Sequence, residues 1–226
     1  MNLHPVITPE IFALRPDFTA LSLCVTGFTN RASDAESAHL LADAVAHLNT
    51  PWAEPHLEAW CDAYRAFGTK PNRFPCSAEA LRKRVARDGM LRPANAVVDL
   101  YNAVSLRFAL PVGGEDASRY VGPPTLCRAI GSETFDTMAE GQPKTECPDP
   151  GEVIWRDAVG VTCRRWNWRQ GQRTQLTEAT TAMWFVLERL APMPMEALWQ
   201  AAEALQTGLR LISPAAHVAP AKVLGG

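Results

Sequence analysis

The sequence predicts an α+β fold, in which helices pack on a mixed or antiparallel β-sheet. Three patterns lead to this class. A segment near the start has apolar residues at alternate positions, and the apolar residues after it keep helical spacing up to residue 108. Strand-like segments dominate from residue 125 to 190, and an amphipathic helical segment follows them. Helices and strands that are segregated along a chain are typical of α+β domains rather than of repeated βαβ units.

The first half of the chain contains one strand and two long helices. The segment "DFTALSLCVTGF" at 17–28 places apolar residues at alternate positions, which predicts a strand. The helix after it has Ser33 or Asp34 as its N-cap, because either side chain can accept a hydrogen bond from a free backbone N–H group. The next helix runs from about Trp52 to Phe67, where apolar residues keep helical spacing.

Shorter elements follow these helices. Ser77 is the predicted N-cap of a basic helix that Gly89 ends, and Pro93 opens a third segment with helical spacing. The segment "LPVGGED" at 110–116 predicts a tight loop, because its paired glycines permit positive φ and let a ligand approach the backbone closely.

The second half is rich in predicted strands. The segments "TLCRAI", "GEVIWRD" and "VTCRRWNWR" have strand patterns, and residues 157–160 form a hairpin connection between the last two. The segment "TTAMWFVLERL" at 180–190 predicts another strand, because β-branched and aromatic residues crowd it. Residues 193–212 carry their apolar side chains on one helical stripe and predict an amphipathic helix.

The composition is that of a globular protein. The chain has 226 residues, of which 47% are hydrophobic and 20% charged, and this length can bury a sizeable core. The first residues lack the pattern of a signal peptide, and no stretch approaches roughly 18 uncharged apolar residues. The expected location is therefore the cytoplasm, away from membranes. The scattered cysteines and histidines lack ligand spacing and predict neither a metal site nor a cofactor.

The charges are distributed unevenly. The formal net charge is −2, yet residues 70–92 hold seven basic and two acidic residues, and residues 162–174 hold four basic residues and no acid. Two basic patches on an acidic body can bind a polyanion locally without coating nucleic acid indiscriminately. The alternative is that the basic helix only presents a solvated face.

The segment "RRWNWRQGQR" at 164–173 is the most unusual stretch. If it is a strand, Arg164, Trp166 and Trp168 face one side, and Cys163, Arg165, Asn167 and Arg169 face the other. The second face then forms a row of hydrogen-bond donors that suits phosphate, carboxylate or a nucleotide edge. The alternative is that these arginines pair with acids of the same protein.

Six motifs in this order carry a family resemblance. The segments "LRPANAVVDLYNAVSL", "LPVGGED", "CRAIGSETF", "GEVIWRD", "RRWNWRQ" and "TEATT" resemble a stand-alone B3/B4 domain, which otherwise occurs in the beta subunit of phenylalanyl-tRNA synthetase. The resemblance implies one domain over 1–226, with a B3/B4-like core at about 55–212. Residues 1–55 would be an N-terminal extension or added layer, and residues 213–226 a mobile tail.

The resemblance also implies an activity. In the synthetase this domain is the editing site, which hydrolyses tyrosine wrongly esterified to the phenylalanine tRNA. Free-standing relatives are thereby expected to clear mischarged tRNA in trans, with the aminoacylated 3′ end of a tRNA as partner. Asn102 would line the pocket, and Pro111 and Asp116 match the ends of a loop in the synthetase. Gly113 stands where that loop has a histidine, so tyrosine specificity is not carried over.

The sequence therefore gives a candidate site and three candidate functions. The functions are an aminoacyl-tRNA deacylase, a non-catalytic tRNA- or RNA-binding module, and a pocket for a free amino-acid-like molecule. The missing histidine favours the binding module, and the acidic net charge favours the small molecule. The expected roles are catalysis for Asn102, Arg165 and Asn167; substrate binding for Gly113, Gly114, Glu115, Asp116 and Glu178; and RNA binding for Arg82, Lys83, Arg84, Arg87, Arg169 and Arg173.

Overall fold

The computed structural model describes residues 3–224. In this range the α-helices are α1 Pro9–Leu14, α2 Ala35–Ala46, α3 Ala53–Ala66, α4 Ser77–Asp88, α5 Ala96–Phe108 and α6 Met195–Ile212. The β-strands are β1 Val6–Ile7, β2 Thr19–Thr26, β3 Val112–Asp116, β4 Thr125–Arg128, β5 Phe135–Ala139, β6 Gln142–Glu146, β7 Val153–Arg156, β8 Val161–Arg164, β9 Arg169–Gln170, β10 Ala182–Arg189, β11 His217–Val218 and β12 Lys222–Leu224. None of the helices in residues 3–224 is long and apolar enough to cross a membrane.

The strands form two five-stranded sheets and one hairpin, which confirms the predicted α+β class. Sheet 1 has the order β1-β4-β7-β8-β9 and is mixed, because β1 runs parallel to β4 and the other pairs are antiparallel. Sheet 2 is antiparallel with the order β11-β2-β10-β3, and β12 also pairs with β2. Strands β5 and β6 form the separate hairpin.

Sheet 2 lies between two apolar layers. Alternate residues of a strand point to opposite faces, and β10 follows this rule. Met183, Phe185 and Leu187 pack with α5 and α6 on one face, whereas Trp184 and Val186 pack against sheet 1 and α3 on the other. A cleft lies where α4 and α5 meet the edges of both sheets.

The predicted helices are present, and two of their start points need correction. Asp34 caps α2 and forms a capping box with Ser37, as the sequence predicts. Ser77, however, is the first residue of α4, and the N-cap position belongs to Cys76. Helix α5 begins after Asn95, whose side chain accepts the backbone N–H of Val98, rather than at Pro93.

Residues 112–116 are strand β3 and not the predicted tight loop. They pair with β10 from Val112, opposite Leu187, to Asp116, opposite Met183. The two glycines are explained by close packing, since neither of them has a positive φ. A Cβ on Gly114 would lie 2.8 Å from the ring of Phe185, so side chains of β10 occupy the space that a larger residue at 114 would need.

The two ends of the chain join sheet 2. Strand β2 pairs with β10 over all eight of its residues, so residues 19–26 form an inner strand rather than a layer added outside the core. Residues 217–218 and 222–224, in the segment that is predicted to be a mobile tail, pair with β2. Residues 1, 2, 225 and 226 lie outside the described residues.

Candidate functional site

A cleft with a volume of about 240 Å³ lies between α4, α5 and the edges of the two sheets. This volume is below the roughly 300–1,000 Å³ of sites for drug-sized ligands, so it suits a group the size of one amino acid. The residues that line it are Ser77, Ala80, Leu81, Arg84, Tyr101, Asn102, Val112, Gly113, Gly114, Glu115, Cys163, Asn167, Trp168 and Gln170.

Strand β3 presents its free edge to this cleft, because four consecutive residues of the strand, 112–115, line it. The carbonyl of Gly114 accepts a hydrogen bond of 3.1 Å from the Gln170 side chain, and the N–H of Asp116 donates to Thr174 at 2.8 Å, both away from β10. The N–H and C=O of one residue in an antiparallel strand point to the same side. The N–H of Gly114 is therefore directed away from β10 as well.

Two polar side chains of the cleft lack partners. The amide of Asn102 lines the cleft and makes no hydrogen bond to any side chain or backbone group of residues 3–224. Ser77 Oγ is a buried oxygen that likewise has no partner among these residues. A buried polar group without a partner costs free energy, so Ser77 Oγ indicates a place for a ligand, and the half-buried amide of Asn102 is free to bond the same ligand.

Glu115 is the acidic group of the cleft. Burial raises the pKa of its carboxyl from 4.5 to about 7, and the hydrogen bond from Tyr120 acts in the opposite direction. Tyr120 donates its hydroxyl to Glu115 Oε2 at 2.7 Å. A carboxyl with a pKa near 7 exchanges a proton readily at neutral pH, which suits general acid–base chemistry.

Asn167 is held by buried partners. Its Oδ1 accepts from the hydroxyl of Tyr64 at 2.9 Å, and its Nδ2 donates to Glu188 Oε2 at 2.8 Å. Glu188 also accepts from Trp155 Nε1 at 3.0 Å, and burial raises the pKa of its carboxyl to about 7. These bonds fix the orientation of the Asn167 amide at the wall of the cleft.

The predicted two-faced strand at 163–169 is interrupted after Arg164, and strand pairing resumes only at β9, Arg169–Gln170. Arg165 and Trp166 have φ values of 47° and 66°, so the chain turns and the alternation of faces is lost. Trp166 is buried among aromatic rings, and the turn directs Asn167 and Trp168 to the cleft. Two adjacent non-glycine residues in this region cost on the order of 1–3 kcal/mol each, which the surrounding contacts must offset.

Arg165 is not a cleft residue, contrary to its expected catalytic role. Its guanidinium stacks on the rings of Phe74, at 3.9 Å, and Trp168, at 4.6 Å. It also lies 3.5 Å from a carboxylate oxygen of Asp149 and 3.7 Å from one of Glu152. Arg165 therefore packs against Trp168 and stabilises the turn at residues 165 and 166.

Several other predicted site residues also lie outside the cleft. Asp116 is buried and accepts from Ser118 and Thr180, which makes it a structural group. Glu178 is exposed in the turn before β10. Arg173 forms an ion pair of 2.8 Å with Asp157, which is itself buried.

The basic residues predicted to bind RNA divide into bonded and free groups. Arg82 donates to the carbonyls of Leu48 and Leu106, and Lys83 pairs with Glu79 at 2.7 Å. Arg87 pairs with Asp88, and Arg169 is exposed and donates to the carbonyl of Met138. Arg84 is exposed, lines the cleft and has no ion pair within residues 3–224.

The cleft does not offer the usual nucleophiles. Burial raises the pKa of the Cys163 thiol well above its usual value, so this residue is not a thiolate at neutral pH. No histidine within residues 3–224 lines the cleft. The chemistry that remains is proton transfer by Glu115 and hydrogen bonding by amides and the edge of β3.

Sequence reasoning missed Glu188 and Gln170. Glu188 is an acid inside an apolar strand, and a period of two from Trp184 and Val186 places it on the buried face. That signal was available in the sequence. Gln170 is a single polar residue after a turn, and no pattern in the sequence distinguishes it.

Comparisons with known proteins agree with this fold. The model of the B3/4 domain family matches residues 59–203. The structure is similar to an N-terminal fragment of the phenylalanyl-tRNA synthetase beta subunit from Pyrococcus horikoshii, with a TM-score of 0.52 and 11% sequence identity. The match covers 99% of this chain and 50% of that one, so the chain spans about half the length of the fragment. A comparison with curated proteins found no match.

Proposed function

The chain belongs to the B3/4 domain family, and from this premise we propose that its cleft hydrolyses the ester of a mischarged aminoacyl-tRNA in trans. The amino acid would be aromatic or non-canonical, and the aminoacylated 3′ end of the tRNA would be the partner. One observation carries the proposal. A cleft of amino-acid size contains a buried carboxyl, Glu115, whose pKa of about 7 suits proton transfer at neutral pH.

Glu115 acts as the general base in this proposal. Ionised Glu115 accepts a proton from a water molecule as the water oxygen attacks the ester carbonyl carbon. The tetrahedral intermediate then breaks its bond to the ribose oxygen, which takes the proton back from Glu115. The products are the free amino acid and the tRNA with its ribose hydroxyl restored.

The oxyanion of the intermediate needs hydrogen-bond donors. The N–H of Gly114, directed away from β10, and the unpartnered amide of Asn102 are the two candidates. One such donor contributes about two to three decades of rate, and a positioned base about two to four. An aminoacyl ester is already activated, so these contributions are sufficient for a useful rate.

Aromatic walls support the choice of substrate. Tyr101 and Trp168 both line the cleft. Trp168 is backed by Arg165 and by the edge-on ring of Phe74, whose centroid lies 4.8 Å away. Aromatic rings pack favourably edge to face, so an aromatic side chain is the preferred occupant.

The test is the release of labelled amino acid from a panel of aminoacyl-tRNAs. The panel contains tyrosyl, phenylalanyl, meta-tyrosyl and other aromatic esters on several tRNAs. We expect release from at least one mischarged species, and a loss of tenfold or more in the Asn102→Ala variant. Absence of release from every ester would reject the deacylase.

A pocket for a free amino-acid-like molecule is the second candidate. The observation in its favour is that Arg82, Lys83, Arg87 and Arg173, four of the residues predicted to bind RNA, have partners inside the protein. Calorimetric titration with free aromatic amino acids tests it. Binding of a free amino acid without hydrolysis of any ester would favour this function.

A further inference from the structure

A second cavity shares Arg84 with the cleft and is lined mostly by arginines. Its volume is about 720 Å³, and its walls are formed by Arg84, Arg87, Asp88, Met90 and Arg92. All five residues are exposed. Three guanidinium groups face one carboxylate here, so the cavity carries an excess of positive charge on a protein whose formal net charge is −2.

The three arginines are not equivalent. Arg87 donates to both carboxylate oxygens of Asp88, from Nε at 2.7 Å and from its terminal nitrogen at 2.8 Å. Arg84 and Arg92 form no ion pair with any acid in the described part of the chain. Two guanidinium groups are therefore available to an external anion, and a third is held by an exposed acid.

Arg84 connects this cavity to the cleft. Ser77, Ala80, Leu81 and Arg84 have the spacing i, i+3, i+4 and i+7 along α4, so they share one face of the helix and form one wall of the cleft. Arg84 is at the outer end of this wall and lines both spaces. A molecule that leaves the cleft along α4 thus meets Arg84 first.

We propose that the cavity of Arg84, Arg87 and Arg92 binds the phosphodiester chain of a single-stranded RNA whose 3′ end enters the cleft. This inference rests on the proposed function and adds the part of the substrate that the cleft is too small to hold. Arg84 and Arg92 each contact one phosphate, since guanidinium groups bind phosphate oxygens in bidentate geometry.

Salt dependence measures the number of these contacts. For single strands the slope of log K against log salt is about −0.7 for each phosphate that is neutralised. Two contacts give a slope of about −1.4 for the wild-type protein, and one contact gives about −0.7 for Arg84→Gln or Arg92→Gln. Each variant is also expected to weaken binding about tenfold, the usual size of a hydrogen-bonded charge contact.

The probe is a fluorescently labelled single-stranded RNA of about six nucleotides, within the range of single-strand binding sites. Its anisotropy is measured with the full-length protein between about 50 and 200 mM salt. Arg107→Gln is the matched control, because Arg107 is an exposed arginine of α5 that lines a different groove. This control should bind the RNA as the wild type does.

Asp88→Asn gives an effect of the opposite sign. It releases Arg87, so binding should become tighter and the slope should steepen towards about −2.1. A role of these residues in helix stability alone would not produce tighter binding. Unchanged affinity and slope in Arg84→Gln, Arg92→Gln and Asp88→Asn, or equal weakening in Arg107→Gln, would overturn the inference.

The experiments distinguish a failure of the RNA-binding site from a failure of the deacylase activity. RNA binding that depends on Arg84 and Arg92, without release of amino acid from any ester, would retain this site and reject the deacylase. Release of amino acid without such binding would retain the deacylase and reject this site.

Discussion

Both basic segments of the chain contain bonded and unpaired arginines, and they differ in how deeply the bonded ones are buried. In segment 164–173, Arg164 donates to both oxygens of Glu152, at 3.0 and 2.7 Å, and Arg173 pairs with Asp157. In segment 82–92, Arg84 and Arg92 are exposed and form no ion pair within residues 3–224. The buried ion pairs of the first segment stabilise the fold, whereas Arg84, Arg92 and Arg169 are exposed and form no ion pair within residues 3–224.

The difference lies in acids that are distant in sequence. Glu152 and Asp157 lie on either side of β7, next to the strand that carries Arg164, so sheet pairing brings carboxylates to these arginines. Helix α4 is exposed along its charged face, and the acids near it, Glu79 and Asp88, are already bonded to Lys83 and Arg87. An arginine-rich motif therefore indicates recognition only where the fold supplies no acid.

The largest expected effect comes from Glu152→Gln. It removes the bidentate partner of the buried Arg164, which keeps only the ion pair of 3.1 Å with the half-buried Glu146, and it weakens the bond to the backbone N–H of Arg165. Loss of one partner of a buried ion pair typically costs 3–5 kcal/mol, so we expect the free energy of unfolding in urea to fall by about that amount. A loss below about 1 kcal/mol would contradict a structural role for this segment.

The pH dependence of stability extends the comparison to carboxyls without a cationic partner. Burial raises the pKa of Glu115 and of Glu188 from 4.5 to about 7. Their protonated forms stabilise the fold, and this contribution is fully present below about pH 4.5 and lost as the pH rises through 7. Each group is expected to lower the free energy of unfolding by on the order of 3 kcal/mol across this window.

Urea unfolding between pH 5 and 8 measures this effect. The double variant Glu115→Gln and Glu188→Gln should flatten the decrease, whereas Glu178→Gln, an exposed control, should retain it. Burial also lowers the pKa of His56 from 6.5 to about 4, which adds a rise in stability up to about pH 6.5, so the wild type is compared with the double variant. Identical pH profiles of the two would show that these carboxyls are ionised in the fold with ordinary pKa values.

A smaller effect is expected at Arg173. The Arg173→Met variant removes an ion pair with the buried Asp157 and a hydrogen bond of 2.6 Å to the carbonyl of Arg119. Three backbone N–H groups still donate to Asp157, so the expected loss of unfolding free energy is about 1–3 kcal/mol. A variant that kept full stability but lost RNA binding would show that Arg173 binds RNA and does not stabilise the fold.

The smallest effect on stability is expected at Arg92. The Arg92→Gln variant removes an exposed side chain without an ion pair, so the free energy of unfolding should change by less than about 0.5 kcal/mol. The midpoint of urea unfolding checks this. A loss of 2 kcal/mol or more, on the scale of a lost hydrogen-bonded charge, would show that Arg92 is as structural as Arg173.

The sequence predicts most of the elements and about half of the site. Helical and alternating periodicities locate α2, α3, α6, β2 and β10, because each buries one face. Residues 112–116 were misread because glycines at 113 and 114 are typical of turns, and only the side chains of Val186 and Phe185 across the sheet explain them.

Five of the predicted site residues line the cleft, and their roles stay predictions. Asn102, Gly113, Gly114, Glu115 and Asn167 meet in the cleft, as expected. Arg165 lies outside the cleft because the positive φ values at 165 and 166 break the strand, and the residues "RRWNWR" contain no turn signal that would predict this. Arg169 is exposed, and its role in RNA binding stays a prediction. The acids that bond Arg164 and Arg173 come from other strands, which a local motif cannot reveal.

The role of Glu115 as general base is tested by the rate constant of amino-acid release in the wild type and in a variant without this carboxyl. Single-turnover hydrolysis of the preferred aminoacyl-tRNA is followed from pH 5.5 to 8 for the wild type, Glu115→Gln and Glu178→Gln, with the uncatalysed rate subtracted. The wild-type and Glu178→Gln rates should rise through about pH 7, and Glu115→Gln should be slower by about 10²-fold or more without that rise. A Glu115→Gln enzyme with the wild-type rate and pH profile would contradict it.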